Sequence, residues 1–181
     1  MIRRTVWLAL LLVVPAALAA DGAQKRYALP ERGALQMNVP AGWKDEVQSP
    51  EQKGLPPTIA FAGQGQPFTV LVTPMWRASA DIPAPTKETI LRQVRGAIDS
   101  ARSQALEKDI KPVEMKSSTG PGYYFSVTDR APKPGEFKYM TQGMVKVSDL
   151  LVTFTVLTND GQQNVTRDAL AMVRSAVHVK P

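Results

Sequence analysis

The chain has 181 residues, a formal net charge of +6, one histidine and no cysteine. The lack of cysteine excludes disulfides and thiolate metal sites, and a single histidine excludes a histidine-rich zinc site. Lysines and arginines are interleaved with acidic residues, so the chain carries no basic stripe of the kind that binds nucleic acid.

The N-terminal segment has the pattern of a secretory signal peptide. Arg3 and Arg4 precede a short apolar run, and small residues follow that run. The run is too short to span a bilayer comfortably, and the small residues fit a cleavage site that leaves Ala20 or Asp21 as the new first residue. We therefore expect the segment to be removed during export.

The mature chain, residues 21–181, is long enough to bury one hydrophobic core and is expected to form a single domain. Because residues 1–20 have the pattern of an export signal, we expect a periplasmic or secreted protein without a transmembrane anchor in its mature form. This compartment also argues against nucleic acid as a partner.

The first part of the mature chain is predicted to consist of strands. Residues 25–29 form a short edge strand, and residues 34–40 alternate apolar and polar side chains before a turn. Trp43 follows that turn and is expected at the rim of the core. Residues 58–62 and 67–72 are separated by a glycine-rich stretch, which predicts a hairpin.

One long helix is predicted in the middle of the chain. Thr86 is a suitable N-cap, and Glu88 in the first turn interacts favourably with the helix dipole. Apolar residues recur on one face of this helix: Ile90, Val94, Ala97, Ile98, Ala101 and Ala105. A strand over residues 110–116 should follow the helix.

Three hydrophobic segments then predict an antiparallel meander. Residues 123–128 alternate, residues 129–136 contain two prolines and a glycine that should form the hairpin loop, and residues 137–147 alternate again. Gly143 could mark a bulge in this second strand. Residues 150–157 are mostly apolar on both faces, which is typical of a central strand.

A second helix is predicted after the meander. Asp160 and Gln163 have the spacing of a capping box. Apolar residues then recur as a single stripe: Val165, Ala169, Met172, Val173 and Ala176. This stripe should lie on the sheet. The expected fold is α+β, an antiparallel β-sheet with helices packed on its faces as an α/β/α sandwich.

Order and residues together resemble the PsbP-like family, whose fold is shared by the photosystem II subunit PsbP, the Ran-binding protein Mog and small bacterial envelope proteins. The resemblance rests on a strand that breaks into Pro-x-Gly-Trp at residues 40–43, on one long helix in mid-chain, and on the meander with a terminal helix that ends at residues 174–177. It implies a family that mostly binds proteins or supports assemblies, and it transfers no functional residue.

The residue types disfavour catalysis and metal binding. The only histidine, His178, lies three residues from the end, which is a poor position for an oriented catalytic base, so we expect it to be solvated or lightly packed. The acids Glu46, Glu114, Asp129 and Glu136 are expected to be solvated surface groups, although distant carboxylates can pair in hydrolases. We expect no catalytic residue, no metal and no cofactor.

The leading hypothesis is a non-catalytic periplasmic module that binds another envelope or secreted protein, an inhibitor or immunity protein being one special case. The contact regions would be the loops over residues 48–57, 75–85 and 129–136. Within these loops the candidate contact residues are Met75, Trp76, Arg77, Lys133 and Glu136.

The alternative is a small-molecule or lipid carrier. Its ligand would lie between the helices and the sheet, lined by Phe125, Tyr139 and Phe154. These aromatic residues are more often plain core residues. A hydrolase that uses paired carboxylates is a third and weaker possibility.

Overall fold

The computed structural model describes residues 22–52, 54–65, 67–79 and 81–181. The predicted signal peptide lies outside these residues. Within them the chain forms ten strands and two helices in the order β1 Ala23–Leu29, β2 Gly33–Val39, β3 Trp43–Gln48, β4 Thr58–Gly63, β5 Thr69–Met75, α1 Lys87–Ala101, β6 Val113–Lys116, β7 Pro121–Thr128, β8 Tyr139–Val147, β9 Leu150–Thr158, α2 Gln163–Arg174 and β10 Val177–Val179.

The strands form two antiparallel sheets. The larger sheet has seven strands in the order β3-β4-β5-β9-β8-β7-β6, and the smaller has three in the order β1-β2-β10. Two helices packed against antiparallel sheets confirm the predicted α+β class, and β1 is an edge strand as expected. Neither α1 nor α2, the helices of the described chain, has the length and hydropathy of a membrane span.

Helix α1 packs on one face of the seven-stranded sheet. Thr86 caps the helix by accepting a hydrogen bond from the Thr89 amide, as predicted. Alternation in β7 points every second side chain toward the helix. The resulting cluster contains Ile90, Val94 and Ile98 from the helix with Tyr123, Phe125, Val127 and Leu151 from the sheet.

The opposite face of the large sheet is covered by the small sheet and α2. The predicted alternation of β2 is confirmed, because Leu35, Met37 and Val39 are all buried. They belong to the main core, together with the whole predicted apolar stripe of α2 and with β9 residues Val152, Phe154 and Val156. Trp43 lies at the rim of this core, as expected, with its ring centroid 4.8 Å from that of Phe68.

Part of the large sheet is left open on the α1 side. Thr58, Thr73 and Thr153 lie in one row across β4, β5 and β9 and are half-buried. The Thr58 and Thr73 hydroxyls are 2.8 Å apart, and the Thr153 hydroxyl donates to the Thr73 carbonyl oxygen at 3.4 Å. These hydroxyl groups therefore have hydrogen-bond partners on the same face of the sheet.

Two expectations about strands were wrong. Strand β3 was not predicted, because three successive charged residues, 44–46, obscure its alternation. Gly143 is not in a bulge, since β8 pairs in continuous register with both neighbours. Its lack of a side chain instead makes room for the Phe154 ring: a Cβ at Gly143 would lie 2.6 Å from Phe154 Cζ.

The end of the chain also differs from expectation. Asp160 does not cap α2, because its carboxylate accepts hydrogen bonds from the Lys138 ammonium group at 2.9 Å and the Tyr139 hydroxyl at 2.6 Å. Gln162 is the N-cap residue, and its side-chain oxygen accepts from the Asn159 amide at 2.7 Å. Helix α2 ends at Arg174, and the next residues form β10 instead of extending the helix.

A polar cluster links the two sheets. Asp45 of β3 forms an ion pair with Lys25 of β1 and accepts a hydrogen bond of 3.1 Å from the Tyr27 hydroxyl. Burial raises the pKa of Asp45, but the hydrogen bonds from Lys25 and Tyr27 more than offset this effect and leave it below the ordinary value. Burial, with the Asp45 charge, raises the pKa of Tyr27.

We predict that Asp45→Asn destabilises the protein at neutral pH by roughly 1 kcal/mol, because it removes a charge that accepts two hydrogen bonds. The folded-state pKa of Asp45 is lowered, so this stabilisation is present above about pH 4 and is lost as the pH falls through the folded-state value. Urea unfolding from pH 7 to pH 2 measures the difference.

The control is Asp149→Asn, since the Asp149–Lys180 pair is more than half exposed and should contribute less. If the free energy of unfolding differed between Asp45→Asn and the unmodified protein by as much at pH 2 as at pH 7, this account of the cluster would be contradicted.

We also predict that Gly143→Ala destabilises the fold by about 1–3 kcal/mol or more, because its Cβ would lie 2.5 Å from both the Tyr123 carbonyl oxygen and Tyr124 Cβ. Gly96 is the matched control. It is exposed in the interior of α1, and an added Cβ would meet nothing within 4 Å, so Gly96→Ala should stabilise the protein by about 0.5–1 kcal/mol. Thermal unfolding of both variants tests the pair.

Candidate functional site

The structure places the predicted contact residues at two opposite ends of the seven-stranded sheet. Met75 pairs with Leu151 at the start of β9, whereas Tyr139, which follows the loop containing Lys133 and Glu136, pairs with Thr158 at the end of β9. At the usual strand rise the two ends are roughly 20 Å apart. The five residues therefore do not form one surface.

Two of the three predicted loops do meet. Gln48 pairs with Thr58, which places residues 49–52 and 54–57 at the same end of the sheet as Met75. Between this loop and the segment after β5 lies a cleft of about 560 Å³ whose apolar wall contains Pro30, Leu55 and Pro57. We call this part of the surface the proline lobe.

A second cleft of about 290 Å³ adjoins the proline lobe. It is bounded by the turn between β1 and β2, the segment after β5, the turn between β8 and β9, and the chain following β10. Its charged and aromatic lining comprises Glu31, Arg32, Trp76, Arg77, Asp149, His178 and Lys180. We call this cleft the polar lobe, and the two lobes together the Trp76 cleft.

Trp76 stands between the two lobes. It is half-buried, packs against the main core on one side and lines both lobes on the other. Leu55, which lines the proline lobe with Trp76, is 45% exposed, and Ile82, whose carbonyl oxygen accepts a hydrogen bond from Arg77, is 46% exposed. Met75 is 38% exposed at the end of β5 but lines neither lobe. Of the neighbouring candidates Met75 and Trp76, only Trp76 therefore lines the two lobes.

Ionic contacts shape the polar lobe. An Arg77 guanidinium nitrogen donates to the Ile82 carbonyl oxygen at 2.7 Å and so holds the segment after β5 in place. Lys180 lies 2.8 Å from Asp149, and its hydrogen bond and charge hold the pKa of Asp149 below the ordinary value. Asp149 is therefore ionised at neutral pH.

His178 is packed more firmly than the sequence predicted. Its Nε2 lies 2.7 Å from the Arg32 carbonyl oxygen, and a carbonyl oxygen only accepts, so Nε2 carries the proton. Nδ1 is buried and has no hydrogen-bond partner among the described residues. The imidazole joins β10 to the turn between β1 and β2. No local pattern could indicate this contact, because the two residues are 146 positions apart.

Lys133 and Glu136 have a structural role at the other end of the sheet. The Lys133 amide donates to the Glu136 carboxylate at 2.9 Å, and the Glu136 amide donates to the Lys133 carbonyl oxygen at 2.9 Å. These contacts close the tip of the loop between β7 and β8. The Glu136 carboxylate is thereby occupied within its own loop.

Beneath this loop lies a small apolar recess of about 140 Å³. The end of α1 and the sheet form its floor, and Phe137 lies at its edge. Its apolar lining comprises Ala101, Ala105, Val127, Phe137, Met140 and Leu157. We call it the Phe137 recess. Phe125 and Phe154, which were candidate lining residues of a carrier pocket, are fully buried in the two cores and line neither this recess nor the Trp76 cleft.

The candidate carboxylates are dispersed. Glu46 and Glu114 lie on β3 and β6, the opposite edge strands of the large sheet. Glu114 pairs with Lys87 at 2.9 Å, and Asp129 accepts a hydrogen bond from the Ala131 amide at 2.9 Å. Within the described ranges, no three side chains of the metal-binding types converge.

Structural similarity extends to two solved proteins at low sequence identity. A crystal structure from Bacteroides thetaiotaomicron is 13% identical with a TM-score of 0.51, over 81% of this chain and 45% of that one, so this chain spans less than half of that protein's length. The solution structure of the PsbP protein CyanoP from Synechocystis is 12% identical with a TM-score of 0.48, over 93% of this chain and 99% of that one.

No protein-family model matches the chain, and no curated protein sequence matches it significantly. At 13% identity the likeness to the Bacteroides protein concerns the fold alone.

Proposed function

We propose that this chain is a non-catalytic periplasmic or secreted protein that binds another envelope or secreted protein through the Trp76 cleft. The observation that carries the proposal is the convergence of both sheets on one half-buried tryptophan. Loops distant in sequence, at residues 30–32, 49–52, 54–57 and 76–79, meet there, and two chemically different lobes open beside the same indole ring.

Trp76 has the properties of an interface anchor. Tryptophan and arginine are the residues most enriched among side chains that dominate binding energy, and such anchors are surrounded by contacts that exclude water. The main core supports Trp76 from behind, so its side chain loses little conformational freedom on binding. Leu55 adds exposed apolar surface that a partner would cover.

The pattern of the N-terminal segment and the resemblance to a family support the same proposal. The N-terminal segment has the pattern of a secretion signal, and the Pro-x-Gly-Trp sequence at residues 40–43 resembles the PsbP-like family, which mostly binds proteins. In this chain the motif forms the turn between β2 and β3. The Trp43 amide donates to the Pro40 carbonyl oxygen at 3.3 Å, and Gly42 adopts a φ of 78° that suits glycine.

A second candidate function is that of a small-molecule carrier, and the Phe137 recess favours it. The recess lies between α1 and the sheet and has a mainly apolar lining. Its volume of about 140 Å³ would hold a short alkyl chain or one aromatic ring and leave the rest of a ligand outside.

The test is site-specific photo-crosslinking in the periplasm of the native host. A photoreactive side chain at position 55, in the proline lobe, should capture one dominant protein, and the same group at position 106 should not. Leu106 is 62% exposed and lies beyond the far end of α1, which makes it a matched control.

N-terminal sequencing of the exported chain itself should give Ala20 or Asp21 as its first residue.

Trp76→Ala should weaken capture from position 55 by about 30-fold, corresponding to about 2 kcal/mol for a binding anchor. Phe137→Ala should leave capture unchanged. Equal crosslinking from positions 55 and 106, or capture that survives Trp76→Ala in a folded protein, would contradict the proposal. A small molecule that co-purifies with the protein and is lost in Phe137→Ala would instead establish the carrier function.

A further inference from the structure

The chemistry of the two lobes indicates what kind of partner segment fits them. We infer that the Trp76 cleft binds an extended segment of the partner in which an acidic residue lies two positions from an apolar residue. The acidic side chain would enter the polar lobe and the apolar side chain the proline lobe, on either side of Trp76. This inference rests on the proposed function and specifies the partner of the same cleft.

Arg32 is the side chain of the cleft that is best suited to bind a carboxylate. Its side chain is exposed and lines both lobes beside Trp76. Among the described residues its guanidinium group has no hydrogen bond or ion pair, whereas Lys180 is paired with Asp149 and Arg77 donates to the Ile82 carbonyl oxygen. The guanidinium group of Arg32 can therefore donate two parallel hydrogen bonds to a carboxylate of the partner.

The balance of charge in the polar lobe favours an acidic over a basic ligand. Of the charged side chains that line the lobe, Arg32, Arg77 and Lys180 are basic and Glu31 and Asp149 are acidic. The charge of Asp149 is already compensated by Lys180 at 2.8 Å. A basic side chain entering the lobe would meet the guanidinium groups of Arg32 and Arg77, and like charges at an interface are unfavourable.

The proline lobe has the opposite character. Its apolar wall is formed by Pro30, Pro50, Leu55 and Pro57, and the charged residues Glu31, Arg32 and Glu51 also line the lobe. Proline restricts the backbone, so a wall with three prolines has less conformational entropy to lose when a partner covers it. An apolar side chain is the chemical complement of such a wall.

An extended segment fits the two lobes better than a helix. In an extended chain, side chains two positions apart point to the same side, so one residue can span the indole of Trp76. A helix is 10–12 Å across with its side chains, and lobes of about 290 and 560 Å³ suit a few side chains rather than a helix.

Isothermal titration with synthetic peptides tests the inference without knowledge of the partner. The probe is a short glycine- and serine-based peptide with a central glutamate-serine-leucine sequence, and the matched peptides replace glutamate with glutamine or lysine, or leucine with serine. We expect the glutamate peptide to bind at least about tenfold more tightly than each of the others, and its affinity to fall as salt is raised.

Arg32→Gln should weaken binding of the glutamate peptide about tenfold and leave the already weak glutamine peptide unaffected. The variant should fold, because the Arg32 side chain is exposed and His178 binds its backbone carbonyl oxygen. Arg92→Gln is the control, since Arg92 is exposed on the outer face of α1. It should change neither affinity.

Several outcomes would overturn the inference. The lysine peptide could bind as tightly as the glutamate peptide, or Arg32→Gln could weaken both peptides equally. Free glutarate could also bind as tightly as the glutamate peptide and displace it, which would make the polar lobe a small-anion site. If position 55 captures a protein but the glutamate peptide does not bind, this inference fails and the proposed function stands. If position 55 captures nothing, the proposed function itself fails.

Discussion

The fold depends on β9, which lies in the middle of the seven-stranded sheet and contributes to both hydrophobic cores. Val152, Phe154 and Val156 point into the main core beneath the small sheet, while Leu151 packs with α1 on the other face. β9 pairs along its length with β8 on one side and β5 on the other. One face of β9 is apolar from Leu150 to Val156, and the other carries leucines beside half-buried threonines, so the segment suits a central strand that is covered fully on one face and partly on the other.

The pairing of β9 with β5 also creates the candidate site. It places the end of β5 beside the start of β9, so that Trp76 and Arg77 emerge next to the turn that carries Asp149. The small sheet adds the remaining wall, since β10 returns to β2 and brings His178 onto the Arg32 carbonyl oxygen. The cleft is thus a consequence of how the two sheets pack, and no continuous stretch of sequence contains it.

The parts of the fold that could be predicted are those in which side-chain periodicity matches burial. Strands β7 and β9 and both helices follow apolar patterns in the local sequence, and prolines with a glycine mark the loop between β7 and β8. Strand β3 could not be recognised, because Asp45 is charged yet faces inward to bond Lys25 and Tyr27, a contact made across the sheets. Trp76 was predicted as a contact residue because it is a large aromatic residue in a predicted loop. The position of Arg32 beside His178 could not be predicted, because the two residues are 146 positions apart in sequence.

The central claim, that binding occurs at the Trp76 cleft, is tested most directly by amide chemical-shift mapping of the ¹⁵N-labelled mature protein with the captured partner. The account predicts shifts and line broadening at Arg32, Leu55, the indole of Trp76 and Lys180, with residues 131–137 unchanged. Perturbations centred on that loop or on the open threonine face, with the Trp76 indole signal unmoved, would contradict it.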